Sequence, residues 1–166
     1  MPLVFAYGSL VALGGPGAVL PGHRRTWGVA MDNALAVAGY KRYADPATGD
    51  HPAVRVAFLD LAPDAAAQVE GVLLDVPAAE LAALDARERN YVRTAVELAG
   101  GERAWTYLGS PAGRARARER PVVVQRAYLD AVRAAYAALT PGALARFDAS
   151  TDAPPGPVVA LVRKEL

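Results

Sequence analysis

The first half of the chain is built of short apolar runs that turn residues separate. The run from Leu3 to Tyr7 stops at Gly8, and a later run alternates apolar with polar residues until Pro63-Asp64. Runs of this length, bounded by glycine or proline, are typical of β-strands. We therefore predict strands over residues 3–7, 24–31, 53–61 and 69–76.

Helices are predicted in the second half of the chain. Pro77 opens a short helix in which Leu81 and Leu84, three residues apart, share the buried side. A longer helix is predicted from Pro121, because apolar residues recur there at spacings of three and four. These residues are Leu129, Val132, Tyr136 and Leu139. One further helical turn is predicted over 143–147.

More strands are predicted among these helices. Residues 91–98 and 103–108 are expected to form a hairpin at Gly100-Gly101, and 158–162 is a candidate for the final strand. A β-rich body with late helices favours an α+β fold, a mixed β-barrel or sheet with flanking helices, over a doubly wound fold. At 166 residues, the whole chain (1–166) is expected to form a single domain.

Composition narrows the possible functions. Hydrophobic residues make up 53% and charged residues 21%, and the formal net charge is only +1. This balance is typical of a globular protein and favours neither nucleic acid nor an anionic membrane as a partner. The absence of cysteine excludes thiol nucleophiles, disulfides and thiolate metal sites. His23 and His51 have no further histidine or cysteine to join them, so we expect no metal and no other cofactor.

The N-terminus and the hydropathy of the chain predict the cellular compartment of the protein. The first residues, Met1-Pro2-Leu3-Val4-Phe5, include no basic segment, and no long apolar stretch precedes Gly8, so we expect no signal peptide. No run approaches the roughly eighteen apolar residues that a membrane span needs. We therefore expect a cytoplasmic protein.

The segment Phe5-Ala6-Tyr7-Gly8-Ser9-Leu10 is the first candidate for a binding site. A strand that runs into Gly-Ser exposes consecutive backbone N–H groups, and such groups can hold a carboxylate. Glycine suits this position because it lets a ligand approach the backbone closely. Taken alone, however, the segment is better explained as an ordinary strand-to-loop turn.

A charged segment from Leu84 to Tyr91 is the second candidate. A single carboxylate in a cleft wall, partly desolvated, makes a good general acid or base. Taken alone, the segment is better explained as a solvated loop in which Glu88 pairs with Arg87 or Arg89.

Together these segments resemble the γ-glutamylcyclotransferase superfamily, which includes AIG2-like and ChaC-like proteins. The opening FAYGSL is similar to the YGSN or YGSL motif with which its members begin, and Leu10 agrees with the YGSL branch. The segment Glu70-Gly71-Val72-Leu73-Leu74-Asp75-Val76 looks like the strand that leads into the catalytic region of the family. Leu84-Asp85-Ala86-Arg87-Glu88 looks like its LDxxE segment, and Tyr91-Val92 like the strand after it. The resemblance runs from Val4 to about Tyr128.

The resemblance implies a set of site residues. It makes Glu88 the catalytic proton acceptor, and it implies that the substrate is bound by Val4, Phe5, Ala6, Tyr7, Gly8, Ser9, Leu10 and Tyr128. The alternative for Tyr128 is a core aromatic on the buried face of its helix. Neither a metal nor an organic cofactor is implied.

The reaction that the resemblance implies is an intramolecular cyclisation. The α-amino group of a γ-glutamyl amine or peptide attacks its own γ-carbonyl carbon, which yields 5-oxoproline and a free amine, as in glutathione metabolism. Two alternatives stay open at this point. One is a related enzyme that acts on another γ-glutamyl amine, and the other is a non-catalytic small-molecule binding module of the same fold.

Two further features lie outside the resemblance. Trp27 and Asn33 are candidates for the pocket wall, and Trp27 is equally well a core residue. The arginine-rich segment from Arg114 to Arg120 is predicted to be a basic loop. Such loops are usually a solvated face, although this one could also attract an anionic substrate.

Overall fold

The computed structural model describes all 166 residues and contains nine strands and four α-helices. The strands are β1 (Leu3–Ala6), β2 (Gly17–Asp32), β3 (Lys41–Ala44), β4 (Arg55–Asp75), β5 (Tyr91–Glu97), β6 (Arg103–Gly109), β7 (Val122–Gln125), β8 (Val158–Val159) and β9 (Val162–Glu165). The helices are α1 (Leu81–Arg87), α2 (Pro111–Ala117), α3 (Arg126–Ala137) and α4 (Ala143–Ser150). Two short 3-10 helices cover Ser9–Leu13 and Ala78–Glu80.

Strand β4 lies at the centre of a seven-stranded mixed sheet. The order is β5-β6-β1-β4-β7-β8, and β2 pairs with β4 outside this path. The pairs β1–β4, β2–β4 and β5–β6 are antiparallel, whereas β1–β6, β4–β7 and β7–β8 are parallel. Strands β3 and β9 form a separate two-stranded antiparallel sheet. The predicted α+β class with flanking helices is confirmed.

The two strands predicted over 53–61 and 69–76 are one continuous strand, so the prediction that Pro63-Asp64 ends a strand is wrong. The partner strand β2 runs alongside β4 for most of its length. Its register against β4 shifts between Pro21 and His23, which pair with Gln68 and Pro63 respectively. This irregularity accommodates the intervening residues 64–67 without ending either strand.

The prediction of a loop across the arginine-rich segment is also wrong, because α2 covers most of it. Ser110 caps this helix by accepting a hydrogen bond from the Gly113 N–H (3.0 Å), and Pro111 occupies its first turn. The helix predicted from Pro121 begins only at Arg126. The preceding residues 122–125 form β7, whose four side chains are all buried in the sheet.

The core lies between the sheet and the late helices. A cluster of 22 buried residues joins β1, β2 and β4 to α3 and α4. On α3, Val132 and Tyr136 are buried and Leu129 packs against the same cluster, as the spacing predicted. The protein has no helix with the length and apolar character needed to cross a membrane.

Candidate active site

The binding-loop candidate begins where β1 leaves the middle of the sheet. Strand β1 lies between β4 and β6, and its last residue, Ala6, pairs with Val72 of β4. Gly8 then precedes the 3-10 helix, where its carbonyl accepts a hydrogen bond from the Val11 N–H (3.0 Å). The N–H of Gly8 makes no hydrogen bond within the protein, and the first N–H groups of a helix have no intrahelical partner. These donors are therefore available to a ligand.

The orientation of this loop is set from beneath by two buried side chains. Arg25 Nε donates to the Tyr7 carbonyl (3.0 Å), and the Tyr136 hydroxyl lies 2.8 Å from the same oxygen. The peptide that follows Tyr7 is trans, so its C=O and the Gly8 N–H point in opposite directions. A carbonyl held toward the core therefore turns the Gly8 N–H away from the core.

Arg25 is fully buried, and its guanidinium finds only neutral partners. Besides the Tyr7 carbonyl, it donates to the hydroxyls of Ser150, Thr151 and Tyr136 and to the carbonyl of Glu70, at 2.6–3.1 Å. A guanidinium has five N–H donors, so every one of them is used. Burial lowers the pKa of Arg25, and the neighbouring Tyr136 opposes that shift. The faces of Tyr136 and Phe147 also contact the guanidinium.

Glu88 occupies the junction between α1 and β5. Its N–H donates to the Leu84 carbonyl (2.9 Å), which closes the helix, and its carbonyl accepts from the Tyr91 N–H (3.0 Å). The side chain is only 16% exposed, and its carboxylate accepts no hydrogen bond. The only cation within 4 Å is Arg87, whose Nε lies 3.8 Å away on a largely exposed side chain.

The surroundings of Glu88 favour its protonated form. Burial raises the pKa of this carboxyl group above its ordinary value, while Arg87 and Lys41 oppose the shift. A shift in this direction brings the pKa of a carboxyl group closer to the pH at which an enzyme works, which suits it to gain and lose a proton.

Glu88 and the binding loop line the same narrow pocket, of about 30 Å³. The pocket is lined by Phe5, Ala6, Tyr7, Gly8, Ser9, Leu10, Leu59, Glu88, Tyr91, Tyr107 and Tyr128. It adjoins a larger cleft of about 520 Å³, and the two share Ser9, Glu88, Tyr91 and Tyr128. These shared residues form the boundary between a small inner chamber and a wide outer one.

All seven tyrosines of the chain lie around this site. Six line the pocket or the cleft, namely Tyr7, Tyr40, Tyr43, Tyr91, Tyr107 and Tyr128, and the seventh, Tyr136, lies behind the loop. The Tyr7 and Tyr91 hydroxyls donate to backbone carbonyls of Tyr107 (2.5 Å) and Leu59 (2.7 Å). Burial raises the pKa of both, so their hydroxyls stay neutral.

Tyr128 differs from these two because its hydroxyl proton is not used within the protein. Its oxygen accepts the Leu59 N–H at 3.3 Å and has no acceptor for its own proton. A Cβ atom at Gly8 would lie 3.5 Å from the Tyr128 oxygen. The hydroxyl and the Gly8 backbone therefore face the same small space, which a side chain at residue 8 would partly fill.

The structure brings together most of the residues that the sequence singled out. Residues 5–10, Glu88 and Tyr128 all line the pocket, whereas Val4 is fully buried in the core and does not line it. Trp27 and Asn33 also lie outside the pocket. Trp27 donates to the Asp152 carbonyl (2.9 Å), and the Asn33 amide bonds the backbone of Tyr43 and Pro52.

The arginine-rich segment does not line the pocket or the cleft either. Arg114 Nε pairs with the buried Asp60 (2.9 Å), and Arg116 binds the Ala30 carbonyl and the Asn90 side chain. These contacts fix α2 to the sheet. Arg114 and Arg116 therefore have structural partners and do not form a free basic surface.

Several lining residues were missed by the sequence analysis. Leu59, Tyr91, Tyr107 and Lys41 come from four different strands and become neighbours only when the chain folds. The clearest signal in the sequence was the small number of tyrosines, all of which converge here. The structure places no three His, Cys, Asp or Glu side chains where they could hold a metal ion.

Comparison with known proteins identifies relatives of this chain. A family model described as gamma-glutamyl cyclotransferase, AIG2-like, matches residues 4–130, which include the loop, Glu88 and Tyr128. No curated protein gives a significant match.

Three solved structures share the fold. A gamma-glutamyl cyclotransferase is 14% identical, with 95% of this chain and 93% of that chain covered and a TM-score of 0.52. An uncharacterized human protein is 16% identical over 95% and 92% of the two chains, with a TM-score of 0.53. A yeast gamma-glutamyl cyclotransferase specific to glutathione is 14% identical over 90% and 86%, with a TM-score of 0.51.

Proposed function

We propose that this chain, which belongs to the AIG2-like γ-glutamyl cyclotransferase family, converts a γ-glutamyl amine or peptide into 5-oxoproline and a free amine. The observation that carries the proposal is the position of Glu88. Its carboxylate, which has no hydrogen-bond partner in the protein, lines the same narrow pocket as the free N–H groups of the binding loop. One acid–base group and one anion-binding loop are what an intramolecular cyclisation requires.

The loop is suited to bind the α-carboxylate of the γ-glutamyl group. The Gly8 N–H and the first N–H groups of the 3-10 helix are free of intrahelical partners, and Tyr128, which lines the same pocket, has a hydroxyl proton to donate. In this role the segment from Phe5 to Leu10, which lines the pocket, holds the substrate, whereas Val4 lies in the core. Holding the substrate folded brings its amine close to its γ-carbonyl carbon.

Glu88 is suited to move the proton. The α-amino group of the substrate is protonated at neutral pH and cannot attack until it loses a proton. A Glu88 carboxylate beside it accepts that proton, after which nitrogen attacks the γ-carbonyl carbon and closes the five-membered ring. The same carboxyl group then donates a proton to the departing amine. The raised pKa of Glu88 supports both halves of this cycle.

The division of the site into two chambers supports an orientation for the substrate. The proposal places the glutamyl group against the loop and Glu88 at the narrow pocket, and the amine half then extends into the larger cleft. The bond to be broken lies at the boundary that Glu88 shares with both chambers. The proposed reaction uses neither a metal nor an organic cofactor.

The rival proposal is a binding module of the same fold in which Glu88 serves only as a partner of Arg87. The two differ in the effect of Glu88→Gln, which keeps the shape of the side chain but cannot accept an ammonium proton. We expect this variant to form 5-oxoproline about a hundred- to ten-thousand-fold more slowly than the wild type, a loss typical of general acid–base groups. Release of 5-oxoproline from a panel of γ-glutamyl compounds measures the effect.

The matched control is Glu80→Gln, the same chemical change at an exposed residue just before α1. This control is expected to keep wild-type turnover. A Glu88→Gln variant that turns over substrate within a few-fold of the wild type would exclude Glu88 as the base. A wild-type protein that binds γ-glutamyl compounds but releases no 5-oxoproline would favour the binding module.

A further inference from the structure

The outer cleft carries more positive than negative charge. Four basic residues and two acidic ones line it, namely Lys41, Arg87, Arg89 and Arg163 against Glu88 and Glu165. Glu165 is already paired with Arg163 at 2.5 Å, and Glu88 is assigned to proton transfer. The remaining basic side chains in the cleft are therefore in excess.

Lys41, unlike Arg87 and Arg163, forms no ion pair in the protein. No carboxylate lies within 4 Å of its ammonium group, and it makes no hydrogen bond in the protein. Instead its Nζ lies 4.1 Å from the centre of the Phe58 ring and 5.6 Å from that of Tyr40. Burial lowers the pKa of Lys41 to about 8, with Arg163 adding to the shift, so the group is still mainly charged at pH 7. A half-buried ammonium group without a partner costs free energy that a negatively charged ligand recovers.

The backbone that carries Lys41 is held firmly on two sides. Lys41 is the first residue of β3, where it pairs with Glu165 of β9. The Asn33 side chain at the end of β2 accepts the Tyr43 N–H (2.8 Å) and donates to the Tyr43 carbonyl (2.9 Å). This double contact fixes β3 against the main sheet, and with it the point from which the lysine reaches the cleft.

We propose that Lys41 binds a carboxylate on the amine half of the substrate. The substrate is then a γ-glutamyl amino acid or peptide rather than a γ-glutamyl alkylamine, whose amine half carries no negative charge. This inference rests on the proposed function, because it needs the glutamyl group in the inner pocket. In that orientation the amine half passes Glu88 and enters the cleft that Lys41 lines.

The test compares two ligands that differ only in charge. These are γ-glutamylalanine, which has a carboxylate on its amine half, and γ-glutamylalaninamide, in which a neutral amide replaces it. Binding is measured by calorimetry in the Glu88→Gln background, which separates affinity from turnover. The variants compared are Glu88→Gln alone, the double variant with Lys41→Gln, and the double variant with Lys164→Gln. Lys164 is the only other lysine in the chain and lies exposed on β9, so it is a matched control.

The carboxylate ligand is expected to bind Glu88→Gln about ten-fold or more tightly than the amide ligand, as a charge-assisted contact would give. The Lys41→Gln change should remove most of this preference, whereas Lys164→Gln should retain it. Equal binding of the two ligands, a preference that survives Lys41→Gln, or no binding of either ligand would overturn the inference. Release of 5-oxoproline by the wild type, followed separately, decides the proposed function whichever result is obtained.

Discussion

Arg25 and Lys41 are basic residues near one pocket, the first fully buried and the second half-buried, and their surroundings are opposite. Arg25 lies beneath the binding loop, where all five of its N–H donors meet carbonyl or hydroxyl oxygens. Lys41 lies in the outer cleft, where it meets aromatic faces and no hydrogen-bond acceptor. A buried charge is stable only when it is paired or well hydrogen-bonded. Arg25 satisfies this condition through its hydrogen bonds, whereas Lys41 has neither an ion pair nor a hydrogen bond.

The difference separates structural from functional polar groups in this molecule. We define the anchor as Arg25, Tyr136 and the Tyr7 carbonyl, a region in which no polar atom lacks a partner. In the outer cleft, Glu88 and Lys41 are partly desolvated and accept or donate no hydrogen bond. The anchor fixes the loop before substrate arrives, whereas the cleft keeps its charges available to the substrate. Stability is thus expected to depend on the anchor and chemistry on the cleft.

The largest expected effect is on the anchor. Arg25→Met removes five buried hydrogen bonds, and the single Tyr136 hydroxyl proton can serve only one of the Tyr7 and Glu70 carbonyls, so we expect the free energy of unfolding to fall by about 3–5 kcal/mol. Lys41→Met removes no hydrogen bond and is expected to change that free energy by less than about 1 kcal/mol. Urea unfolding of the two variants measures the contrast directly. Equal destabilisation by both would end the distinction between the anchor and the cleft.

A second variant keeps this test usable if Arg25→Met does not fold. Arg25→Lys retains the charge but has three N–H donors on one nitrogen, so it can reach fewer of the five acceptors. It is expected to fold with a loss smaller than that of Arg25→Met. A lysine variant as stable as the wild type would show that charge alone, rather than the fork of hydrogen bonds, holds the loop.

A smaller effect is expected from Tyr136→Phe, which removes one hydroxyl from the anchor. That hydroxyl accepts a hydrogen bond from Arg25 (2.6 Å) and lies 2.8 Å from the carbonyls of Tyr7 and Glu70. Both carbonyls keep a hydrogen bond from Arg25, so we expect a loss of only about 1–2 kcal/mol. Thermal unfolding should show a melting temperature lower by roughly 2–8 °C. A melting temperature equal to that of the wild type would place the hydroxyl outside the anchor.

The same contrast explains what the sequence could predict. The turn at Gly8 and the spacing on α3 are local patterns, and their positions in the structure agree with the predictions. Glu88 lines the pocket, but its role follows from the family resemblance rather than from its own segment and stays a prediction. Arg25 carries no local signal, because its role depends on acceptors 18 to 126 residues away in the sequence. The continuity of β4 was missed for the same reason, since it depends on the pairing with β2.

The smallest expected effect is that of the Glu88 charge on the stability of the folded protein, and the sign of this effect can be predicted. Burial raises the pKa of Glu88 in the folded protein above its value in the unfolded chain, and Arg87 and Lys41 only partly oppose this. Below the unfolded value, about 4.3, the group is protonated in both states and costs no stability. As the pH rises through that value and then through the folded pKa, the buried carboxylate forms and the folded state loses stability relative to the unfolded chain. Glu88→Gln carries no such charge, so it is expected to melt at a higher temperature than the wild type at pH 7–8. The difference should shrink as the pH falls toward 4, and melting curves across this range measure it.

The binding-module alternative, in which Glu88 stabilises the fold through Arg87, expects the opposite sign at neutral pH. A lower melting temperature for Glu88→Gln at pH 7 would therefore place Glu88 with the stabilising residues of the anchor rather than with the reactive groups of the cleft.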